Sequence, residues 1–394
     1  MDKNPRAQWP LDPEVVFLNH GSFGACPQVV LAAQSELRAQ MESQPVRFLQ
    51  REYEPLLDAA RAELATFLRA RADDLVFVQN ATAGVNAVVR SLDFRAGDEL
   101  LTTNHAYNAC SNVLTETARR TGASVVVAEV PFPVESEDAI FTAIMAKVNA
   151  RTRLAMIDHV TSPTALVFPV ARLIRELEQR GVEVLIDGAH APGAVDLDLD
   201  GLRPHYYTGN LHKWVCAPKG AAFLWARPER QEALRPAIVS HGENIRRAGR
   251  SAFHDRFDWP GTLDPTAWLS VPAALRFGAG LFPGGWNELR ESNRQLAISA
   301  RALVASRLGV ALPCPNQLLA SMATIALPEP LQRRPFNGDR FDPIQTEIYE
   351  RARVELPIMR WGKPVRRWLR LSAHAYNTTS DYRTLAETMV RISP

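Results

Sequence analysis

Residues 182–193 read VEVLIDGAHAPG. The apolar, β-branched run from Val182 to Ile186 predicts a buried strand that ends at Asp187, where small residues begin. An acid directly after a strand is most often a helix cap, but in α/β proteins the end of a strand is also where ligands bind. Asp187 is therefore a candidate site residue.

The same pattern repeats on both sides of this stretch. Strands are predicted at 75–78, 100–102, 125–127, 154–157 and 221–225, and helices at 28–43, 55–70, 83–92, 108–121, 137–148 and 169–180. Near-continuous apolar strands that alternate with helices predict an α/β fold with a mostly parallel sheet covered on both faces. Ligands of such sheets bind at the carboxyl ends of the strands.

The chain changes character after about residue 265. Helical stretches at 267–280 and 284–308 precede a proline-rich part and a final helix near 380–391. We predict an N-terminal segment of residues 1–30 that borders the site, a large ligand-binding domain of residues 31–265, and a small α+β domain of residues 266–394.

The composition is that of an ordinary globular protein. Of 394 residues, 46% are apolar and 22% are charged, and the net charge is +2. Such a balance gives no reason to expect nucleic acid as a partner, and the apolar runs are too short for a membrane span. Residues 1–6 lack the apolar core of a signal peptide, so we expect a cytoplasmic protein. The cysteines at 26, 110, 216 and 314 form no CxxC pair, which favours free thiols and no metal site.

A lysine follows Asp187 by 26 residues, in the stretch Gly209-Asn210-Leu211-His212-Lys213-Trp214. The chain has lysine only at 3, 147, 213, 219 and 363. Pyridoxal 5′-phosphate (PLP) needs an amine to bind its aldehyde and a carboxylate to keep its pyridine nitrogen protonated. Lys213 and Asp187 have these properties, although a single lysine is usually a surface charge.

PLP also needs hydrogen-bond donors for its phosphate. The turn Asn80-Ala81-Thr82-Ala83-Gly84 follows a predicted strand and precedes a helix. Its amides and the Thr82 hydroxyl are suited to a phosphate at a helix N-terminus. Threonine and glycine in such a turn often have only a conformational role.

Taken together, these segments resemble the class V aminotransferase family of fold type I PLP enzymes, and most closely its isopenicillin-N-epimerase-like members. The residues that carry the resemblance are FLNHGSFG at 17–24, NATAGVN at 80–86, DGAHAPG at 187–193, NLHKWVCAPKG at 210–220, WPGTLD at 259–264 and RLSAHAYN at 370–377. They occur in the family's order and span nearly the whole chain.

The resemblance implies a role for each residue around the cofactor. Lys213 matches the Schiff-base lysine, whereas Lys219 matches a structural position. Asp187 matches the partner of the pyridine nitrogen, and Ala189 would pack beneath the ring. His190 would reach the cofactor O3′ or the substrate, or would only begin a helix.

For the phosphate, the resemblance implies contacts from Ala81, Thr82 and His212. Asn210 stands where many relatives carry a hydroxyl residue, which leaves its phosphate contact open. Gly261 and Thr262 would reach the phosphate of a partner subunit's cofactor, which implies a homodimer with composite active sites.

The group that stacks on the outer face of the ring follows the strand at 100–102. Many relatives have histidine there, but Tyr107 fits the spacing of the epimerase-like members, and His105 is the alternative. Tyr107 is also suited to an ordinary core position.

Arg370 lies in the apparent strand Trp368-Leu369-Arg370-Leu371-Ser372 and is the candidate for binding a substrate carboxylate. A salt bridge between domains is the other interpretation, and Arg360 and Arg366 are poorer candidates. The loop with Asn19 and His20 would border the site and contact substrate, or would simply close against the domain.

These roles predict an enzyme that acts at Cα of an amino acid, with Lys213 as the base. An epimerase or racemase is the first interpretation; a C–S lyase that works by β-elimination, or an aminotransferase, is the alternative. A desulfurase is disfavoured because Cys314 lies between two prolines. A non-enzymatic PLP-fold scaffold or regulator is disfavoured because Lys213 and Asp187 are both present.

Overall fold

The computed structural model describes residues 5–336 and 338–393. Residues 1–4, which contribute to the prediction about a signal peptide, lie outside this range. The strands are β1 Val16–Phe17, β2 Leu75–Val78, β3 Glu99–Thr103, β4 Ser124–Ala128, β5 Thr152–Asp158, β6 Glu183–Asp187, β7 Tyr206–Asn210, β8 Ala222–Ala226, β9 Met322–Ala326, β10 Val354–Glu355, β11 Ile358–Trp361 and β12 Arg366–Ser372.

The helices alternate with the strands through the first half of the chain and dominate the part between β8 and β9. They are α1 His20–Phe23, α2 Gln28–Ser43, α3 Pro45–Arg47, α4 Tyr53–Leu68, α5 Ala81–Ser91, α6 Asn108–Thr121, α7 Glu137–Met145, α8 Val170–Gln179, α9 Leu199–Leu202, α10 Pro228–Gln231, α11 Ala252–Asp258, α12 Thr266–Leu269, α13 Val271–Gly280, α14 Gly285–Leu308, α15 Glu329–Gln332, α16 Pro343–Ala352 and α17 Thr379–Ile392.

The central sheet has seven strands in the order β2-β8-β7-β6-β5-β3-β4. Only β8 runs antiparallel to its neighbours, which are β2 and β7. Successive side chains of β5 and β6 alternate between two apolar clusters: Met156 and Leu185 belong to one, and Ile157 and Ile186 to the other. Both faces of the sheet are therefore covered, which explains why these strands are apolar throughout. The predicted mostly parallel α/β sheet is confirmed.

Two smaller sheets bring the ends of the chain together. β11, β12 and β9 form an antiparallel sheet, and β1 pairs in parallel with β10. This second pairing attaches the N-terminal segment to the C-terminal part. The division at residue 265 stays a prediction, since the sheets alone do not fix a boundary.

The structure differs from the predicted elements in three places. The helix predicted at 267–280 is broken at Ser270, because Pro272 has no amide hydrogen and fits only the first turn of a new helix. The loop predicted at 19–24 contains the short helix α1, and the residue ranges of β7, β9, β10 and β11 were not predicted as strands. Among the described residues, no helix combines the length and apolar character that crossing a lipid bilayer requires.

Candidate active site

A cavity of about 780 Å³ lies where the central strands end. Its wall includes these residues predicted from the sequence: Ala81, Thr82, Tyr107, Asp187, Ala189, His190, Asn210, His212 and Lys213. The volume is in the range of small-molecule and cofactor sites. Segments far apart in the sequence therefore meet at one edge of the sheet, as the parallel arrangement requires.

Lys213 follows β7 and is half-buried at the cavity wall. Its Nζ lies 2.9 Å from Nε2 of His190. Burial, and then the nearby charge of Arg370, lower the pKa of the Lys213 amine to about 7. A sizeable fraction of this amine is therefore neutral near neutral pH, which suits it to bind an aldehyde or take up a proton.

The backbone of Lys213 is held by the N-terminal loop. The Nε2 of His20 lies 3.0 Å from the Lys213 carbonyl oxygen, and its Nδ1 lies 2.8 Å from the hydroxyl of Tyr376. Gly24 has φ +71°, and a Cβ there would lie 1.9 Å from the carbonyl oxygen of His212. This close approach requires glycine and fixes the loop against the lysine segment.

Asp187 ends β6 and is buried. Its Oδ1 accepts a hydrogen bond of 3.0 Å from the Ala189 amide, and its Oδ2 accepts one of 3.2 Å from the Cys110 thiol. Among the described residues no cation lies within ion-pair distance of its carboxylate. Burial raises the pKa of Asp187 above its usual value. A buried carboxylate of this kind suits a protonated ring nitrogen.

The start of α5 forms the end of the cavity proposed for a phosphate. The Asn80 side chain accepts from the Ala83 amide, and the Ala81 amide donates to Oδ1 of Asn210 at 2.8 Å. Asn210 thus occupies the Ala81 amide that was predicted to bind phosphate. Thr82 and His212 line the same end, and burial lowers the pKa of His212 to about 4, so that it is neutral.

Arg370 lies behind the cavity wall and is 2% exposed. Its Nη1 donates to the Ser162 carbonyl oxygen at 2.7 Å, and its Nη2 donates to Oγ of Ser22 at 2.8 Å. Its Nε has no hydrogen-bond partner, and no carboxylate pairs with it in residues 5–336 and 338–393. Burial lowers the pKa of Arg370 to about 10. A buried cation without an anion is costly, which suits this arginine to an anionic ligand.

The structure separates the two candidates for the outer face of the ring. Tyr107, 48% exposed, lines the cavity at the start of α6. His105 is fully buried outside it, with Nδ1 2.6 Å from Oγ1 of Thr164 and its ring against Trp361. Burial lowers the pKa of His105 to about 4.

Other predicted residues also lie away from the cavity. Asn19 bonds to Glu355, and His20 lies beneath Lys213 rather than at the wall. Thr262 lines a separate cavity of about 530 Å³. Gly261 is absent from both walls; the prediction that Gly261 and Thr262 serve a partner's cofactor stays a prediction.

The polar wall residues that were missed from the sequence include Asp158, Ser22 and Ser162. Asp158 is the last residue of β5, as Asp187 is of β6. A search for polar residues at the ends of apolar strands would therefore have found it. Ser22 and Ser162 line the wall in front of Arg370. A serine in a loop has no distinctive sequence pattern, so Ser22 and Ser162 could be identified only from the structure.

The residues present fit PLP. The cavity is large enough, and it brings together an amine of lowered pKa, a buried carboxylate without a cation, and the first turn of a helix. The Nδ1 of His190 is buried without a hydrogen-bond partner at the cavity wall. Unsatisfied buried polar atoms of this kind indicate a site that a ligand completes.

Comparison with known proteins agrees with this geometry. Residues 15–331 match the family model for class V aminotransferases. Isopenicillin N epimerase of Amycolatopsis lactamdurans is 35% identical over 99% of this chain and 98% of its own. A probable chloroplastic L-cysteine desulfhydrase of Arabidopsis thaliana is 31% identical over 95% of this chain and 82% of its own.

Solved structures share the fold. A variant of C-DES with glycine covalently linked to its PLP cofactor has a TM-score of 0.81 at 20% identity, covering 98% of both chains. The cysteine desulfurase CsdA of Escherichia coli has a TM-score of 0.78 at 21% identity, covering 98% of this chain and 96% of that one. The family match indicates pyridoxal 5′-phosphate as the cofactor, and the relatives named above are enzymes. The resemblance seen in the sequence is confirmed: the chain belongs to the class V aminotransferase family.

Proposed function

We propose that this protein is a PLP-dependent enzyme that acts at Cα of an amino acid and inverts its configuration. The observation that carries the proposal is a single cavity lined by Lys213 and Tyr107, which come from β7 and from the start of α6 after β3. The strands β6 and β5 lie between β7 and β3. The amine and the phenol therefore approach the cavity from different sides of Asp187.

Each residue has a defined task in this reaction. When bound, PLP supplies an electron sink that stabilises negative charge at the substrate Cα. Asp187 would hold the ring nitrogen, with Ala189 beneath the ring and Thr82 and His212 at the phosphate. The neutral amine of Lys213 takes the Cα proton from one side.

Inversion requires a second proton-carrying group on the other side of Cα. A tyrosine hydroxyl is a weak base but can donate a proton to a carbanion. Tyr107 is the residue we assign to this step, because His105 makes its hydrogen bonds inside the protein, outside the cavity. His190, next to Lys213, orients the amine.

Arg370 is the residue we assign to the substrate carboxylate. Its guanidinium is held by neutral oxygens of Ser22 and Ser162 and has no carboxylate partner in the described part of the chain. A substrate carboxylate would supply the missing anion and accept two parallel hydrogen bonds.

C–S bond cleavage by β-elimination is the second candidate. It is favoured by the relatives named as L-cysteine desulfhydrases, and a proton from Tyr107 would serve a departing thiolate as well as a carbanion. Desulfurase chemistry is disfavoured. Cys314 is buried, hydrogen-bonded to Arg301, and absent from the cavity wall.

We also propose a cytoplasmic homodimer with composite sites. The second cavity, where Thr262 lies, is lined by Val46 and Ile245, which are 60% and 52% exposed. Exposed apolar side chains that cluster in this way are typical of surfaces that another chain covers. A second copy at this surface would bring Gly261 and Thr262 toward its own cofactor.

The reaction is tested with the holoenzyme in deuterated water. Isopenicillin N, L-cysteine and L-cystine are supplied separately, and the configuration at Cα, the deuterium there, keto acid and sulfide are followed. Inversion with deuterium at Cα and no keto acid is the expected result for at least one substrate. Release of keto acid and sulfide without inversion would show that the enzyme is a lyase and not an epimerase. Conversion of the cofactor to its amine form would indicate an aminotransferase.

A further inference from the structure

Two buried carboxyl groups lie side by side in the cavity. Asp158 of β5 and Asp187 of β6 are register partners on neighbouring parallel strands. Register partners point to the same face, and neighbouring strands are about 4.8 Å apart. Each residue is 3% exposed, and both line the cavity. The reaction proposed above uses Asp187 and leaves Asp158 without a task.

The two carboxyl groups differ in their hydrogen-bond donors. Asp187 receives the Ala189 amide and the Cys110 thiol. In residues 5–336 and 338–393, the donor that reaches the Asp158 side chain is its own backbone amide, and no cation lies within ion-pair distance of it. Donors stabilise the ionised form, so the negative charge belongs on Asp187.

Two neighbouring buried carboxylates cannot both be ionised at low cost, and such a pair titrates as a unit. Burial, and then the charge of Asp187, raise the pKa of Asp158 well above its usual value. The other groups that act on the pair are Lys213, whose cation opposes this rise, and Cys110. Tyr207 of β7 lies within the electrostatic reach of Asp187 and is neutral, because burial raises its pKa well above its usual value.

We propose that Asp158 is a positioning residue: a neutral carboxylic acid that shares one proton with Asp187 and limits the pair to a single negative charge. The proposal rests on the assignment of Asp187 to the cofactor's ring nitrogen. One negative charge matches one protonated ring nitrogen, whereas two would leave a buried carboxylate without a counterion. The proton of Asp158 also gives Asp187 a donor that keeps its carboxylate oriented.

The charge state is tested by infrared difference spectroscopy of the holoenzyme at pH 7, wild type against Asp158→Asn. A protonated carboxyl band present in the wild type and lost in Asp158→Asn is the expected result. If no such band exists, or if it is lost in Asp187→Asn instead, the proposal is wrong. Asp158→Ser serves as a second neutral variant if Asp158→Asn fails to fold.

The pH dependence of unfolding gives an independent readout at a fixed PLP concentration. With a raised pKa in the folded state, the unfolded chain releases the proton first, so Asp158 lowers stability as pH rises above about 4. Asp158→Asn should therefore gain stability over the wild type with rising pH and level off above the raised pKa. A difference that stays constant with pH contradicts a neutral Asp158.

Cofactor affinity separates this proposal from the assignment on which it rests. Asp187→Asn should lose about tenfold or more in PLP affinity, the effect of one charge-assisted hydrogen bond. Asp158→Asn removes no charge and should lose much less. Equal losses in both variants would show that Asp158 is ionised, and no loss in Asp187→Asn would reject the role of Asp187 itself. None of the three measurements uses a substrate, so all three are independent of the reaction outcome.

Discussion

The Nζ of Lys213 lies 2.9 Å from Nε2 of His190, and both groups are held near neutrality by burial. Burial lowers the pKa of His190 well below its usual value, so the neutral imidazole can accept a hydrogen bond from the amine instead of repelling it as a cation. A neutral histidine beside a lysine of pKa about 7 leaves the amine available for reaction without a counterion.

Lys213→Ala should give a colourless protein. The loss of the amine removes the bond to the PLP aldehyde, so the visible absorbance of the bound cofactor disappears and borohydride traps no adduct. Lys219→Ala is the matched control, because Lys219 also lines the cavity but donates to the Gly24 carbonyl oxygen. A reducible adduct retained in Lys213→Ala would reject the assignment.

Arg370→Met should raise KM about 10- to 100-fold, which corresponds to the binding free energy of one or two hydrogen bonds to a charged group. It should also move the pH profile. The cation of Arg370 lowers the pKa of Lys213, so its removal lets that pKa rise, and activity that depends on the neutral amine appears at higher pH. Measurements of kcat and KM across pH test both the rise in KM and the shift of the pH profile.

Arg366→Met is the control for Arg370, because Arg366 lies on the same strand in a surface ion pair with Glu329. Such pairs contribute at most about 1 kcal/mol. A pH profile that moves equally in both variants would mean that the shift does not come from the charge near Lys213.

Tyr107→Phe should abolish inversion while preserving exchange of the Cα proton on the side of Lys213. The variant keeps the aromatic ring and removes only the hydroxyl, so folding and cofactor binding should persist. Deuterium incorporation measured separately from the change of configuration checks this. Inversion at the wild-type rate in Tyr107→Phe would show that another group donates the second proton.

His105→Phe should act on stability rather than on chemistry. It breaks hydrogen bonds to Thr164 and to the Val130 carbonyl oxygen in a buried site, at a cost of about 1–3 kcal/mol in the free energy of unfolding. Denaturant unfolding with activity measured on the remaining folded protein separates the two effects. A large loss of kcat without a loss of stability would show that His105 has a role in the reaction.

The holoenzyme should be a dimer whose stability depends on PLP. Ligand at 100 times its Kd adds about 2.7 kcal/mol to the free energy of unfolding. Thr262→Val should weaken this effect, and the partly exposed Thr384→Val on α17 should not. Sedimentation measures the oligomeric state, and thermal unfolding with and without PLP measures the stabilisation by the cofactor. A fully active monomer would contradict the composite site.

The sequence predicted the parts of the site that follow regular strands. Asp187 and the helix after Val78 stand at strand ends that apolar runs define, so their positions follow from the parallel sheet. Lys213 came from its spacing and scarcity together with the family resemblance. Asp158 directly follows the predicted strand 154–157, so the same rule applied to that strand would have identified it.

Residues in loops could not be placed from sequence in the same way. His105 and Tyr107 are two residues apart, and only the turn between β3 and α6 determines which one faces the cavity. The contact of His20 with Lys213 joins residues 193 apart along the chain. No local pattern encodes such a contact, which arises from packing of the completed fold.

The N-terminal loop also sets a limit on how the protein is made. His20 bridges Lys213 and Tyr376, and the second of these lies 356 residues farther along the chain. During synthesis, the loop cannot make its final contacts until Tyr376 has left the ribosome. A nascent chain that stops before Tyr376 lacks one of the two hydrogen-bond contacts of the His20 ring, so the backbone of Lys213 lacks its final support. The final contacts of this loop thus form only after a further 356 residues have been made.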